Sequence, residues 1–228
     1  MTYQAIIFDA YGTLFDVYSV NALAEKLFPG KGSLLAATWR EKQVEYTRLR
    51  TMSGMYKPFW EVTQDSLVFC CKKLGLALDL NAQHALMSEY AKLPSFPENL
   101  EVLGKLKDQG LKLAILSNAN PEMLEVIVKA AGMDAFFSQL LSADSVRKYK
   151  TAPETYQLGT ELFGLAAKNI LFVSSNCWDV CGASWFGYQT FWVNRGKAPL
   201  EELGVTPNGN GDSLAALLAF VSKANDPA

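Results

Sequence analysis

Short apolar runs divide the chain and predict the strands of a β-sheet. Three of them, residues 5–8, 113–116 and 170–173, end abruptly at polar residues. Continuous apolar runs of this length are typical of strands that are buried on both faces of a parallel sheet. Residues 139–141 and 190–193 are two further strand candidates.

Helical patterns separate these strands. Amphipathic stretches cover residues 97–109, 121–131 and 153–163, and this alternation predicts βαβ units. Between the first and second strands the pattern is helical throughout, at 20–28, 34–50, 58–74 and 82–92. The turn after Thr13 and the prolines Pro94 and Pro97 bound this block.

The predicted fold is therefore α/β: a Rossmann-like, doubly wound parallel sheet core with an inserted helical cap subdomain. We assign residues 1–14 and 96–228 to the core and residues 15–95 to the cap. An insertion after the first strand is placed to close over the carboxyl edge of the sheet.

Composition excludes several classes of protein. Half of the 228 residues are hydrophobic, and 21 basic residues nearly balance 23 acidic ones. This balance argues against a nucleic-acid binder and against a polybasic membrane anchor. No apolar run reaches the ~18 residues needed to cross a bilayer, and residues 1–4 lack the basic start of a signal peptide. We expect a cytoplasmic protein.

The cysteines and the histidine narrow the chemistry. The four cysteines have neither zinc-site nor disulfide-framework spacing, so buried reduced thiols are expected. A single histidine, His84, leaves no multi-histidine metal site and little basis for a Ser-His-Asp triad. Catalysis would have to use carboxylates, lysine, hydroxyls and backbone groups.

Polar residues follow the predicted strands where a parallel sheet binds its ligands. They are Asp9, Ser117, Asn118, Ser174, Asn176 and Asp179, and Lys150 follows the strand candidate at 139–141. Each one alone has an ordinary structural explanation, such as ending a strand, capping a helix or facing solvent. Their shared position at strand ends favours a common site.

This set of residues suggests covalent catalysis by a carboxylate. Asp9 would be the nucleophile, and Lys150 would offset the charge of a second carboxylate, Asp179. The two acids could then divide the work, since one attacks and the other orients or deprotonates water.

Four motifs of the sequence resemble those of the haloacid dehalogenase superfamily. They lie at residues 8–14, 116–120, 149–150 and 173–179. Residues 38–40, 56–60 and 191–195 make the sequence similar, more narrowly, to the L-2-haloacid dehalogenases (type II). The resemblance covers nearly the whole chain and implies a homodimer that needs no cofactor and no metal.

Tyr11 separates two branches of this superfamily. The phosphatase branch has an aspartate at this position, which protonates the leaving alkoxide, and it uses magnesium. A halide is a good leaving group and needs no proton, so a tyrosine is acceptable here. The resemblance therefore favours a dehalogenase over the alternative, a phosphatase of a small metabolite. A catalytically silent binding protein is a third possibility, but it would have no chemical reason to keep Asp9, Lys150 and Asp179.

The resemblance implies hydrolysis of short-chain L-2-haloalkanoic acids to D-2-hydroxy acids, with inversion at C2, through an ester on Asp9. Besides the haloacid, this reaction uses water as its second substrate. The catalytic residues that it implies are Asp9, Thr13, Arg40, Lys150, Ser174, Asn176 and Asp179. The residues that it places around the substrate are Tyr11, Phe59, Ser117, Asn118, Tyr156 and Trp178.

Overall fold

The structure is a computed structural model that describes residues 3–225, and its centre is a six-stranded parallel sheet. The strands are β1 (Ala5–Phe8), β2 (Lys112–Ser117), β3 (Gln139–Ser142), β4 (Ile170–Ser174), β5 (Gln189–Val193) and β6 (Gly209–Gly211). Their spatial order is β3-β2-β1-β4-β5-β6. The outer limits of the predicted core, residues 1–2 and 226–228, lie outside the described residues.

The order of the strands reverses beside β1, which pairs with β2 on one side and with β4 on the other. All four residues of β1 are buried, because helices cover both faces of the sheet. In sheets of this type the crevice at the reversal point is where ligands bind, so the ends of β1 and β4 are the positions of interest.

Four helices lie within residues 15–95, after β1: α1 (Asn21–Leu27), α2 (Gly32–Ser53), α3 (Phe59–Lys73) and α4 (Leu80–Tyr90). They pack on one another, most extensively α2 on α3 and α1 on α2. The two connections to the core run side by side, since Asp16 N donates to Pro94 O and Phe96 N donates to Leu14 O. This pairing supports our proposal that residues 15–95 are a cap.

The remaining helices flank the sheet: α5 (Asn99–Asp108), α6 (Pro121–Ala130), α7 (Pro153–Phe163), α8 (Cys177–Phe186) and α9 (Ala215–Asn225). The α/β fold with a parallel sheet is as predicted, and each predicted strand and helix is present to within three residues at either end.

Within residues 3–225, one strand and two α-helices were not predicted. β6 has no apolar side chain, since its sequence is Gly-Asn-Gly. α8 and α9 are apolar on most of their surface, so they lack the helical alternation of apolar and polar residues that reveals the other helices.

The four cysteines are free thiols, as expected; three are buried, but Cys177 is half-buried, at the start of α8. Within residues 3–225 the helices are too short or too polar to cross a membrane.

Candidate active site

Asp9 lies at the tip of β1, where the chain turns away from the sheet. Gly12 has a φ of 93° in this turn, and a Cβ there would lie 3.1 Å from Ser175 Oγ. The turn brings Thr13 back beneath the carboxylate, so that Thr13 Oγ1 donates to Asp9 Oδ2 over 2.8 Å. Asn176 Nδ2 donates to the same oxygen over 2.9 Å. The carboxylate is thus held in one orientation by neighbouring strand ends.

Lys150 joins the two carboxylates of the site. Its ammonium lies 2.9 Å from Asp9 Oδ1 and 2.8 Å from Asp179 Oδ2, and its side chain is 1% exposed. Burial alone would lower the pKa of Lys150, but Asp179 and Asp9 raise it above its ordinary value. The lysine is therefore a permanent positive charge between two acids.

Asp179 is fully buried in the first turn of α8. Burial and, to a smaller extent, the facing Asp9 carboxylate raise the pKa of its carboxyl to about 6, against the opposing effect of the Lys150 ammonium. A carboxylate with a pKa near the working pH is suited to general-base catalysis.

Tyr156 lies behind Asp179, with its hydroxyl donating to Asp179 Oδ1 over 2.7 Å. The tyrosine is fully buried, and a Cβ at Gly182 would lie only 2.5 Å from that hydroxyl, so the glycine makes room for it. Tyr156 was predicted to bind substrate, and this stays a prediction; the contact in the structure is with Asp179, whose carboxylate the tyrosine would position.

Tyr156→Phe tests this positioning role. The hydroxyl lowers the pKa of Asp179, so its loss should move the acid limb of the rate profile upward by about one pH unit. The Michaelis constant should stay the same. The same change at Tyr46, whose ring packs on Phe69 away from both the cavity and the cleft, is the control. An unmoved acid limb in Tyr156→Phe, together with a raised Michaelis constant, would instead support direct contact with substrate.

The other predicted core residues surround this centre at the strand ends. Ser117 Oγ accepts a hydrogen bond from Ala119 N, and Asn118 Oδ1 accepts one from Lys150 N. Ser174 is buried, and its hydroxyl oxygen accepts a hydrogen bond from Asn176 N. This hydrogen bond stabilises the turn that carries Asn176.

Arg40 reaches the core from α2 of the proposed cap. Its guanidinium donates to Asn176 Oδ1 over 3.3 Å and to Tyr11 O over 3.4 Å. It also donates to Gln43 Oε1 over 2.8 Å. A cation from the cap thus lies beside the groups that hold Asp9.

Gln43 was missed by the sequence analysis. It is buried, accepts hydrogen bonds from Arg40 and Tyr90 and donates to Thr63, and so it fixes the guanidinium. The available signal was the spacing of three residues between Arg40 and Gln43. The charged residues around Gln43 made this part of the sequence look like a solvent-exposed helix face.

Aromatic residues close the site. A small cavity of about 10 Å³ lies against Asp9, with Tyr11, Phe59 and Trp178 on its walls and with Ser117, Asn118 and Arg40 beside them. The Tyr11 hydroxyl is buried without a hydrogen-bond partner among the described residues, and burial raises its pKa. An open cleft of about 710 Å³ lies outside the cavity.

The structure thus brings the predicted residues together around Asp9, apart from Tyr156 and Ser174, which contact Asp179 and Asn176. Among residues 3–225 there is no cluster of three or more histidine, cysteine, aspartate or glutamate side chains that could hold a metal ion.

Comparison with known proteins agrees with this geometry. A family model described as haloacid dehalogenase-like hydrolase matches residues 3–187. The (S)-2-haloacid dehalogenase of Pseudomonas sp. (strain YL) is 44% identical over 221 residues, which are 97% of this chain and 95% of that protein.

Two crystal structures are similar over the whole fold. The L-2-haloacid dehalogenase RSc1362 is 54% identical, with a TM-score of 0.96 over 97% of this chain and 100% of that one. The L-2-haloacid dehalogenase of Xanthobacter autotrophicus with chloropropionic acid covalently bound is 35% identical, with a TM-score of 0.89 over 97% and 99% of the two chains. The chain therefore belongs to the haloacid dehalogenase-like hydrolases and, within them, to the (S)-2-haloacid dehalogenase family.

Proposed function

We propose that the protein hydrolyses short-chain L-2-haloalkanoic acids to D-2-hydroxy acids, with inversion at C2, through an ester on Asp9. The observation that carries the proposal is the buried Asp9–Lys150–Asp179 chain, in which one ammonium contacts both carboxylates within 2.9 Å. Its family relatives include a dehalogenase structure with chloropropionic acid covalently bound.

In the first step a carboxylate oxygen of Asp9 attacks C2 from the side opposite the halogen. The new C–O bond forms as the carbon–halogen bond breaks, and the halide leaves with the electron pair. Arg40 supplies positive charge for the departing halide, with Asn118 and Phe59 beside it on the cavity wall. Ser117 and the backbone amides that follow Asp9 would hold the substrate carboxylate.

In the second step water attacks the ester carbon of Asp9. Asp179 takes one proton from this water, and Lys150 and Tyr156 hold its carboxylate in place. The acyl–oxygen bond breaks and the leaving oxygen takes up the proton, which gives the hydroxy acid. The other water proton passes to solvent as the Asp9 carboxylate is restored.

Tyr11 supports this chemistry over phosphate hydrolysis. A phosphatase needs an acid here to protonate its leaving alkoxide, a contribution of about 10²–10⁴-fold. The buried Tyr11 hydroxyl, with its raised pKa, is a poor proton donor. Halide departure needs no such proton, and no step of the proposed mechanism needs a metal.

The pH dependence follows from Asp179. Its pKa is raised to about 6, and only the ionised form accepts a proton from water. The groups that face it are Lys150, Asp9 and Tyr156. We expect the rate of halide release to fall as the pH drops through about 6, measured at saturating L-2-chloropropionate. A flat profile down to pH 4.5, in protein that is still folded, would exclude Asp179 as the base.

Halide release from separated L- and D-2-chloropropionate, with EDTA present, tests the proposed reaction. We expect release from the L-form alone and a product that is D-lactate on a chiral column. The D-form is the matched control, since it has the same leaving group and charge. No release from either form, together with magnesium-dependent phosphate release from small phosphate esters, would favour the phosphatase.

The proposal extends to a cytoplasmic homodimer. Free thiols suit a reducing compartment. The exposed apolar side chains of Leu49, Met52 and Met55, on α2 and just beyond it, form a surface that a second copy would cover. Light scattering at micromolar concentration should give the mass of two chains, and Met52→Glu should shift it towards one.

A further inference from the structure

The cavity at Asp9 is too small for the substrate. Its volume of about 10 Å³ is on the order of one water molecule, whereas a 2-haloacid has at least five heavy atoms. Some part of its wall must therefore move when substrate binds. The outer cleft of about 710 Å³ has ample room, so the wall that the two spaces share is the part to consider.

Three residues line both the cavity and the cleft: Arg40, Val44 and Trp178. The first two belong to α2, one helical turn apart, and Trp178 belongs to the first turns of α8 in the core. The shared wall is therefore a seam between the proposed cap and the core.

Arg48 closes this seam from the outside. It lies one further turn along α2, on the face that carries Arg40 and Val44. Its guanidinium carbon is 5.0 Å from the centre of the Trp178 ring, within the range of a cation–π contact. Arg48 lines the cleft and is absent from the lining of the cavity, so it touches the outer side of the wall.

Away from this seam, other contacts join the proposed cap to the core. There Tyr56 donates to Asp144, Tyr149 donates to Lys57 O, and Trp60 N donates to Asn120, so three direct hydrogen bonds join the cap to the core. Across the seam, Arg40 donates to Asn176 Oδ1 over 3.3 Å and to Tyr11 O over 3.4 Å, both longer than the 2.9 Å bond from Trp60 N to Asn120 Oδ1. The Arg48–Trp178 contact is less directional than a hydrogen bond. The seam is therefore the easier side to open.

We propose that Trp178 is the gate between the outer cleft and the reaction cavity, and that Arg48 is the positioning residue that holds this gate closed while the cavity is empty. The inference rests on the proposed function. It adds the route by which the 2-haloacid reaches Asp9, and it assigns to Arg48 a role in restricting substrate entry, with no part in the chemical steps.

Arg48→Met tests the gate, because methionine keeps an unbranched apolar chain but loses the cation. We expect the Michaelis constant for L-2-chloropropionate to fall about tenfold, the scale of a partly desolvated cation–π contact, because losing this contact favours the open state that admits substrate. The turnover number should stay within about twofold, because Asp9, Lys150 and Asp179 are untouched. Arg48→Lys keeps a cation and should restore a Michaelis constant close to that of the wild type.

Lys42→Met is the matched control. Lys42 lies on the same helix, 4.7 Å from the centre of the Phe69 ring, but this contact joins α2 to α3 within the cap. Its loss should leave both kinetic constants unchanged. If Arg48→Met does not fold, Arg48→Gln replaces it.

A second measurement needs no turnover. Acrylamide quenching of tryptophan fluorescence is measured for each protein with and without the Trp178→Phe substitution. The difference between the two is the contribution of Trp178. This signal should be quenched more steeply in the Arg48→Met background than in the wild type. An unchanged quenching difference, or an unchanged Michaelis constant in Arg48→Met, overturns the gate. Wild-type protein that releases no halide overturns the proposed function, and the quenching then decides the gate alone.

Discussion

Asp9→Asn should abolish halide release, with a loss of about 10⁴-fold or more, as expected when a covalent nucleophile is removed. An amide oxygen is a poor nucleophile, but asparagine has the same shape and still accepts hydrogen bonds from Thr13 and Asn176 through its carbonyl oxygen. The fold should therefore survive. Turnover is measured by halide release and folding by circular dichroism.

Asp108→Asn is the control for this substitution, because Asp108 is exposed at the end of α5, away from the site. Mass spectrometry of the purified Asp9→Asn protein must show that the amide has not deamidated. Full activity in a preparation that is entirely amide would remove Asp9 from the role of nucleophile.

Lys150→Met should be the other severe change, because it leaves two buried carboxylates without their shared counter-charge. We expect turnover at pH 7 to fall by about 10³-fold, within the range for loss of acid–base organisation. The free energy of unfolding should fall by about 3 kcal/mol, the cost of removing one partner from a buried ion pair. Halide release and denaturant unfolding measure the two effects.

The pH dependence of the stability loss distinguishes this explanation from simple damage to packing. The pKa of Asp179 is already raised to about 6 with Lys150 present, and without it the pKa should rise further. Since a raised folded-state pKa stabilises the folded protein at low pH and this stability is lost as the pH rises, Lys150→Met should be less impaired at pH 5 than at pH 8. Lys148→Met, which removes an exposed lysine paired with Glu154, is the control. Equal losses at both pH values would show that the charge of Lys150 is not what matters.

The sheet and the reacting residues could be predicted from the sequence because they obey local rules. Each strand of the centre is a continuous apolar run, and Asp9 directly follows the first of them. A parallel sheet places all such ends along one edge, so residues as distant in sequence as Asp9, Lys150 and Asp179 could be grouped before the structure was known.

The arrangement across the cap could not be predicted in this way. Which face of α2 meets the core depends on how the helices pack, and Arg40 and Arg48 look alike in a run of charged residues. Gln43 was overlooked for the same reason, although it fixes Arg40. The orientation of Tyr156 towards Asp179 depends on the space left by Gly182, which is a tertiary contact that no local pattern encodes.

A single turnover in ¹⁸O-labelled water tests the covalent step, because it shows whether the oxygen of water enters Asp9 or the lactate. The protein is used in excess over L-2-chloropropionate, and both the lactate and the peptide that contains Asp9 are weighed by mass spectrometry. Attack of water on the ester carbon of Asp9 leaves the water oxygen in the carboxylate. We therefore expect one ¹⁸O on Asp9 and an unlabelled hydroxyl in the D-lactate. Labelled lactate and an unlabelled Asp9 would mean that water displaces the halide directly, and the aspartyl ester would have to be abandoned.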